Sequence, residues 1–266
     1  MFCHQVKIKL DKKDDVIHVR PLGDIHFGNL GCDMNAIQKS INYIAKRDDH
    51  YTIGMGDYID NVMAWAQGGV DKRWNPETVD RKMLTTEEQI ETFERLWKPI
   101  KDKTWGLLAG NHEWKTINQK RFIREFCKPF NLNYLGRLAF LNVQISHGSK
   151  ILHDFLFCVM HGGYAGMMAG GAVNRMKMIS GDFDADIFLM GHSHDLWTRT
   201  GTKMVYNKKL NALDEKKILY ANTGTFLRGY VKGIDSYIEI NPREAKRVGT
   251  VTITLNAETG KMNAHE

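Results

Sequence analysis

The chain has 266 residues, of which 42% are hydrophobic and 26% are charged. That composition is ordinary for a globular protein and excludes a wholly disordered chain, and no apolar run reaches the roughly 18–20 residues of a membrane span. The formal net charge is +6 and the pI is near 9.0, a small and dispersed excess that suits an anionic partner.

The N-terminus and the cysteines favour a reducing compartment. Residues 1–15 lack the apolar stretch of a signal peptide. The four cysteines are scattered, with no Cys-x-x-Cys pair, and a chain of this length does not need disulfides. Free thiols are therefore favoured over two disulfides, and we expect a cytoplasmic protein without a membrane partner.

The first half of the chain has the pattern of alternating strands and helices. Strands are predicted over residues 5–10, 16–20, 51–55 and 104–109. Helices are predicted over residues 33–47, with Asp33 as the N-cap, and over residues 77–97, after Asn75-Pro76. A further helical spacing covers residues 114–127.

Residues 62–100 form a long excursion between two of these strands. The segment contains Trp65 and Trp74 before its predicted helix. Local packing is the ordinary interpretation of such aromatic side chains. The alternative is that this insertion forms a lid over a site.

The second half of the chain predicts more strands around one further helix. Strands over residues 138–146 and 151–160 are expected to pair, and residues 186–190 form another. Residues 165–180 are predicted to form a helix with its methionines in the core. Strands of a second sheet are predicted over residues 198–206, 217–221, 236–240 and 250–255. No repeat or linker is found, so we predict one domain, residues 1–266.

Polar clusters follow five of the apolar runs. They are Asp24-x-His26, Gly56-Asp57-x-x-Asp60, Gly110-Asn111-His112-Glu113, His161-Gly162 and Gly191-His192-x-His194. If the last run continued as a regular strand, His192 and His194 would point to the same face. The carboxyl ends of strands form the ligand-binding edge of an α/β sheet.

Each cluster by itself has an ordinary structural explanation. Asp57 after a glycine suits a turn or a helix cap, His161 suits a turn, and Asn111 suits a left-handed position. All five clusters together would require these coincidences to recur at one edge of a sheet. A functional constellation is therefore the better interpretation.

In this order the five clusters resemble the motifs of the calcineurin-like metallophosphoesterase superfamily, over residues 24–194. The resemblance implies an α/β fold, a four-layer α-β-β-α sandwich of two mixed β-sheets, with two divalent metal ions at the strand ends. By that resemblance one ion is held by Asp24, His26 and His194, the other by Asn111, His161 and His192, and both by Asp57. Mixed oxygen and imidazole ligands favour Mn²⁺, with Fe or Zn²⁺ as alternatives, over Mg²⁺ or Ca²⁺.

The resemblance also implies a mechanism for phosphate-ester hydrolysis. Two ions about 3.5–4 Å apart deprotonate a shared water and clamp the phosphoryl oxygens, and the resulting hydroxide attacks in line. In the family the histidine at the position of His112 faces the substrate and assists the departing oxygen. Asp60 is expected to orient a ligand or the substrate.

Two departures from the family pattern concern the substrate. Protein phosphatases of this superfamily have arginines at the positions of Asn61 and Ala109, where they help to bind a monoester dianion. Because a dianion has one more charge than a diester, their loss favours a phosphodiester, with nucleic acid or a nucleotide as first choice. Asn61 remains a candidate substrate contact.

The segment 222–230 resembles a loop that lies near the site in phage-type members. Arg228 is a candidate phosphate contact, and Tyr230 or Trp197 could stack on a base. The alternative is an ordinary glycine-rich hairpin with one surface arginine.

Two other functions stay open. One is a phosphomonoesterase acting on nucleotides or phosphoproteins. The other is a non-catalytic binding module on a degenerate scaffold, which the seven filled ligand positions disfavour.

Overall fold

The computed structural model describes residues 2–61, 76–116, 119–163, 170–240 and 243–266. The strands are Phe2–Leu10 (β1), Val16–Val19 (β2), His50–Gly54 (β3), Thr104–Leu107 (β4), Leu138–His147 (β5), Lys150–Met160 (β6), Ile187–Met190 (β7), Leu196–Asn207 (β8), Ala212–Thr223 (β9), Thr252–Asn256 (β10) and Lys261–His265 (β11). The α-helices are Met34–Ala45 (α1), Thr86–Trp97 (α2), Asn111–Thr116 (α3), Gln119–Phe122 (α4), Gly170–Asp182 (α5) and Tyr237–Ile240 (α6). Trp65 and Trp74 of the predicted lid lie outside the described residues, as does the start of the helix predicted from residue 165.

The strands form two mixed sheets. The first has the order β1-β5-β6-β7-β9-β8, with β6, β7 and β9 parallel to one another. The second has the order β11-β10-β2-β3-β4, with β2, β3 and β4 parallel. Within each sheet these parallel strands bring their carboxyl ends to one edge, where ligands bind in α/β folds.

The layers follow from which face each side chain buries. In β7, Ile187 and Leu189 pack between the two sheets, while Phe188 and Met190 pack under α5, as strand alternation requires. On the other side, Ile41 of α1 and Phe93 of α2 cover the second sheet. The predicted four-layer sandwich is confirmed.

The helix predicted from residue 33 is confirmed, whereas the start of the next helix is wrong. Asp33 caps α1 by accepting a hydrogen bond from the Ala36 amide at 3.0 Å. Residues 76–78 form only a short 3₁₀ turn, and α2 begins at Thr86. The reason is a reciprocal capping box between Thr85 and Glu88, a Thr-x-x-Glu signature that the prediction overlooked.

Two predictions about the later strands are also wrong. β8 and β9 extend the first sheet beside β7 instead of belonging to the second. Residues 237–240 form the short helix α6 where a strand was predicted. Alternation along a strand indicates which side chains are buried, but it does not indicate which sheet the strand joins.

The sulfur-containing side chains follow the predictions only in part. All four cysteines are free thiols, as expected. In α5, Met176 is buried as predicted, but Met178 is 74% exposed.

No helix in the described ranges is both long enough and apolar enough to cross a membrane.

Candidate metal centre

The polar clusters meet beyond the carboxyl ends of β2, β3, β4, β6 and β7. Pairing between the chain segments continues past the regular strands, through bridges from Leu22 to Gly54 and from Phe27 to Ile59. These bridges carry the Asp24 and Asp57 loops side by side. The centre is therefore built from loops held in register by a continuing ladder.

Five of the predicted ligands have left-handed backbone conformations. Their φ angles lie between 49° and 67°, and they are Asp24, His26, Asp57, His192 and His194. Such angles are uncommon for residues other than glycine, and they concentrate at functional sites where the surrounding structure imposes them. The two histidines after β7 therefore reach the centre through a left-handed turn, and the predicted strand alternation is wrong.

The first ligand group consists of Asp24, His26 and His194, with one ligand atom of each within 4.8 Å of the others. His194 Nε2 lies 3.3 Å from Asp24 Oδ1 and 3.4 Å from His26 Nε2. Asp24 Oδ1 is buried, and no group in the described part of the chain forms a hydrogen bond with it. A buried carboxylate oxygen facing two imidazoles fits a cation, because an orphaned acceptor is costly without one.

The second ligand group consists of Asp57, His161 and His192, again with ligand atoms within 4.8 Å of one another. His161 Nε2 lies 3.3 Å from Asp57 Oδ2 and 3.1 Å from Asn111 Oδ1. His161 Nδ1 donates to the Met55 carbonyl at 2.8 Å, which fixes the ring and directs Nε2 into the group. Asn111 does not occupy a left-handed position, because it begins helix α3.

Within the second group the two histidines differ in proton affinity. Burial lowers the pKa of His161, but the Asp57 carboxylate outweighs burial and raises the pKa to about 9. Burial and the neighbouring His161 lower the pKa of His192 to about 4. In the absence of a cation, one proton on His161 thus compensates the Asp57 carboxylate.

Asp60 and His112 form a third such cluster with His26, with ligand atoms again within 4.8 Å of one another, and through it they connect the two ligand groups. His26 Nδ1 donates to Asp60 Oδ1 at 3.1 Å, which leaves Nε2 of His26 for the first group. His112 Nδ1 donates to the Asp60 carbonyl at 2.6 Å, and the His112 amide donates to Asp57 Oδ1 at 2.9 Å. Burial lowers the pKa of His112, but Asp57 and Asp60 more than offset this and raise it. His112 is therefore held beside both groups in a form suited to donating a proton.

Glu113 has a role that the sequence did not indicate beyond its place in the Gly-Asn-His-Glu motif. Its buried carboxylate accepts hydrogen bonds from four backbone amides, 2.5–3.2 Å away, those of Asp57, Tyr58, Ile59 and Gly110. These bonds tie the loop after β3 to the loop after β4. Burial and the Asp57 carboxylate raise the pKa of Glu113 to about 7.

The glycines of the motifs permit the close approach of these loops. A Cβ on Gly110 would lie 2.0 Å from Asp57 Oδ1, and one on Gly56 would lie 2.6 Å from the Gly110 nitrogen. Both distances are shorter than any van der Waals contact allows. Glycine at these motif positions is therefore a packing requirement of the centre.

The three predicted substrate contacts form hydrogen bonds within the protein. Asn61 is buried, and its Oδ1 accepts from Thr86 at 2.7 Å. The Arg228 guanidinium donates to Asp33, and the Tyr230 hydroxyl donates to the Arg243 carbonyl at 2.6 Å. Their contact with a substrate stays a prediction.

A comparison of the sequence with models of known protein families finds one matching family. The sequence profile described as calcineurin-like phosphoesterase matches residues 21–196. No curated protein matches the sequence.

Solved structures resemble the chain at low sequence identity. Vps29 from Entamoeba histolytica, complexed with Zn²⁺, is 12% identical with a TM-score of 0.38, and the match covers 94% of this chain and 97% of that one. A predicted phosphoesterase from Streptococcus pneumoniae is 13% identical with a TM-score of 0.38, covering 94% and 98%. A metallophosphoesterase from Sphaerobacter thermophilus is 12% identical with a TM-score of 0.39, covering 94% and 88%.

Proposed function

The chain belongs to the calcineurin-like phosphoesterase family, and from that premise we propose that it is a two-metal phosphodiesterase acting on nucleic acid or nucleotides. The observation that carries the proposal is the pair of adjoining ligand groups, each with three ligand atoms within 4.8 Å of one another. Oxygen and imidazole donors of this kind favour Mn²⁺, with Fe or Zn²⁺ as alternatives.

The proposed chemistry divides between the ions and the chain. Divalent ions held by these ligand groups would supply a water-derived nucleophile and would neutralise charge on the phosphoryl oxygens. Asp57 Oδ2 and His161 Nε2, 3.3 Å apart, converge as ligands, with Asp57 proposed as the bridge. His112, whose pKa is raised, donates its Nε2 proton to the departing oxygen. Asp60 holds the His26 and His112 rings in orientation.

The preference for diesters rests on two positions. The family's protein phosphatases carry arginines there, whereas this chain has a buried asparagine bonded to Thr86, Asn61, and a buried alanine, Ala109. Neither can place a guanidinium on a dianion.

A monoesterase is the second candidate, because one guanidinium does lie close to the second group. Arg137 Nη2 lies 3.5 Å from the carbonyl oxygen of Gly162, the residue after His161. An arginine there could bind the additional charge of a monoester.

The test compares an aryl phosphodiester with its monoester, using protein stripped of metal and refilled with Mn²⁺, Zn²⁺ or Mg²⁺. We expect diester hydrolysis to predominate, and to be lost in Asp57→Asn and greatly reduced in His112→Ala. His147→Ala, at an exposed histidine, is the matched control and should keep full activity. Monoester preference would favour the second candidate. Protein that binds two ions and hydrolyses neither ester would instead indicate a binding module.

A further inference from the structure

The positive charge of this protein is concentrated in one hairpin, contrary to the dispersed excess expected from the sequence. The segment 196–217, which we call the basic ribbon, comprises β8, the turn and the first half of β9. It contains six basic and two acidic side chains, a net charge of +4 of the +6 in the whole chain. The other residues together therefore contribute only +2.

Among the described residues, no third strand pairs with the outer part of the basic ribbon. β9 pairs with β7 only from Leu219 to Asn222, and β8 is the last strand of its sheet. The paired residues from Lys203 to Lys216 therefore extend beyond the sheet as two strands. Two strands alone are marginally stable in water, so a projecting ribbon of this kind indicates a surface that a partner covers.

The end of the basic ribbon is apolar as well as basic. Five large apolar side chains there are 40–69% exposed, namely Met204, Val205, Tyr206, Leu210 and Leu213. Tyr206 and Leu213 are cross-strand partners and lie on the same face. Clustered exposed apolar side chains mark interaction surfaces more often than isolated ones do.

The cations of the basic ribbon are available to a partner. Lys216 is used within the fold, since it pairs with Asp184 and Asp186 at 3.0 Å. The other five form no ion pair with any part of the chain that the structure describes; they are Arg199, Lys203, Lys208, Lys209 and Lys217. This charge opposes packing of one ribbon against the ribbon of a second copy.

We propose that the basic ribbon is a binding surface for double-stranded DNA. The major groove of B-form DNA is about 12 Å wide and admits a two-stranded ribbon, whereas the major groove of A-form RNA is too narrow. The ten residues from Arg199 to Lys208 span roughly 30 Å, the length of about nine base pairs. The apolar end supplies side chains that can contact the thymine methyl groups exposed in the major groove.

The direction of the strands places this surface at one side of the metal centre. β9 runs from the ribbon end to Asn222, whose Nδ2 donates to Ser193 Oγ, between the two ligand histidines. A duplex lying along the β8 edge would thus extend from the ribbon towards the centre. This inference rests on the proposed function for its substrate class, and it adds where that substrate is held.

The binding experiment uses the full-length protein and a fluorescent 24-base-pair DNA duplex over a range of salt concentrations, with cleavage of the probe checked by electrophoresis. The variant Lys203→Gln/Lys208→Gln/Lys209→Gln removes three ribbon cations. The control Lys7→Gln/Lys9→Gln/Lys12→Gln removes equal charge from β1 and the following turn, at the opposite edge of the same sheet. We expect the ribbon variant to bind the duplex at least about tenfold more weakly than wild type. The slope of log K against log salt concentration should become smaller in magnitude by about 2–3, and the control should match wild type in both measurements.

Three results would overturn the inference. They are equal affinity of the ribbon variant and wild type for DNA, equal loss in both triple variants, and duplex RNA binding as tightly as DNA. Ribbon-dependent binding to vesicles of phosphatidylglycerol and phosphatidylcholine, with DNA binding unaffected, would assign the ribbon to a lipid surface instead.

Hydrolysis of the aryl phosphodiester separates this inference from the proposed function. The ribbon variant should hydrolyse that small ester as wild type does, because none of its changes lies in the centre. Ester hydrolysis without ribbon-dependent DNA binding would refute the inference alone. Ribbon-dependent DNA binding by a protein that hydrolyses no ester would refute the proposed function and support the inference.

Discussion

Asp24 and Asp57 follow neighbouring parallel strands, β2 and β3, yet the structure surrounds the two carboxylates differently. Asp57 Oδ1 accepts the His112 amide at 2.9 Å, and Asp57 Oδ2 faces His161. Asp24 Oδ2 accepts the His192 amide at 2.9 Å, and Asp24 Oδ1 lies 3.3 Å from His194 Nε2. The two carboxylates thus have matching contacts, but the imidazole beside Asp57 is fully buried, whereas 18% of the His194 side chain beside Asp24 is exposed.

The loops that carry the two residues are also anchored differently. The Asp57 loop is held by the Glu113 side chain, which accepts from four amides and is charged above its pKa of about 7. The Asp24 carbonyl accepts from the Thr225 hydroxyl and the Phe226 amide, both at 2.9 Å and both neutral. The fold therefore anchors the Asp57 side of the centre more firmly than the Asp24 side, which depends more on its ion.

The largest effect is expected from removing the charged anchor. Glu113→Ala leaves four amides without their acceptor and should lower the free energy of unfolding by about 3–5 kcal/mol. Thr225→Val removes two neutral hydrogen bonds, one to the Asp24 carbonyl and one from the Leu227 amide, and should cost about 1–2 kcal/mol. Urea unfolding of metal-free protein measures both. Equal losses would mean that the two loops are anchored alike.

The next effect distinguishes a shared ligand from an unshared one. Asp57→Asn should reduce hydrolysis by more than about 100-fold, a larger loss than is typical of residues that do not bind the metal. It should also lower the affinity of the protein for both ions. Asp24→Asn should lower the affinity for one ion and leave the affinity for the other unchanged. Counting ions per chain after dialysis tests this, and two retained ions in Asp57→Asn would show that Asp57 does not bridge.

Asp60 allows the link between the two halves to be tested. Asp60→Asn keeps the backbone carbonyl that accepts from His112, and it replaces the carboxylate that accepts from His26 with a neutral amide. We expect kcat/KM to fall about 10–100-fold, with reduced affinity for the ion on the Asp24 side. The measurement is kcat/KM as a function of metal concentration. A loss that saturating metal does not reduce would place the effect on His112 instead.

The smallest effect, counted per pH unit, is on metal affinity. Below its pKa of about 9, His161 carries a proton that must leave before it can bind an ion, so affinity on the Asp57 side should fall by about tenfold for each pH unit below 9. His26, whose pKa is lowered by burial and by His112, requires no such loss near pH 7. Calorimetry in buffers of different ionisation enthalpy should detect release of about one proton with one of the two ions. Equal proton release with both ions would remove the contrast.

The elements that the sequence predicted well are those with a purely local cause. Asp33 and the buried isoleucines of α1 are sufficient to specify that helix, and the paired strands β5 and β6 follow from alternation on either side of a tight turn. The start of α2 was also encoded locally, by Thr85 and Glu88, and was overlooked. The ordered motifs likewise identified the residues that converge at the strand ends.

Other features were decided only by the tertiary structure. The left-handed angles of His192 and His194 arise because the loops meeting there impose them, and an isolated strand would favour the opposite geometry. The anchoring by Glu113 joins loops that are more than fifty residues apart along the chain, so no local spacing reveals it. The charge of the basic ribbon is written in the sequence, but its position became evident only when β8 proved to be the edge of the first sheet. The sequence by itself determined which side chains this protein can bring to its chemistry, because residue type and order are local properties. The tertiary structure decided their conformation, anchoring and surroundings, because these depend on contacts between distant segments.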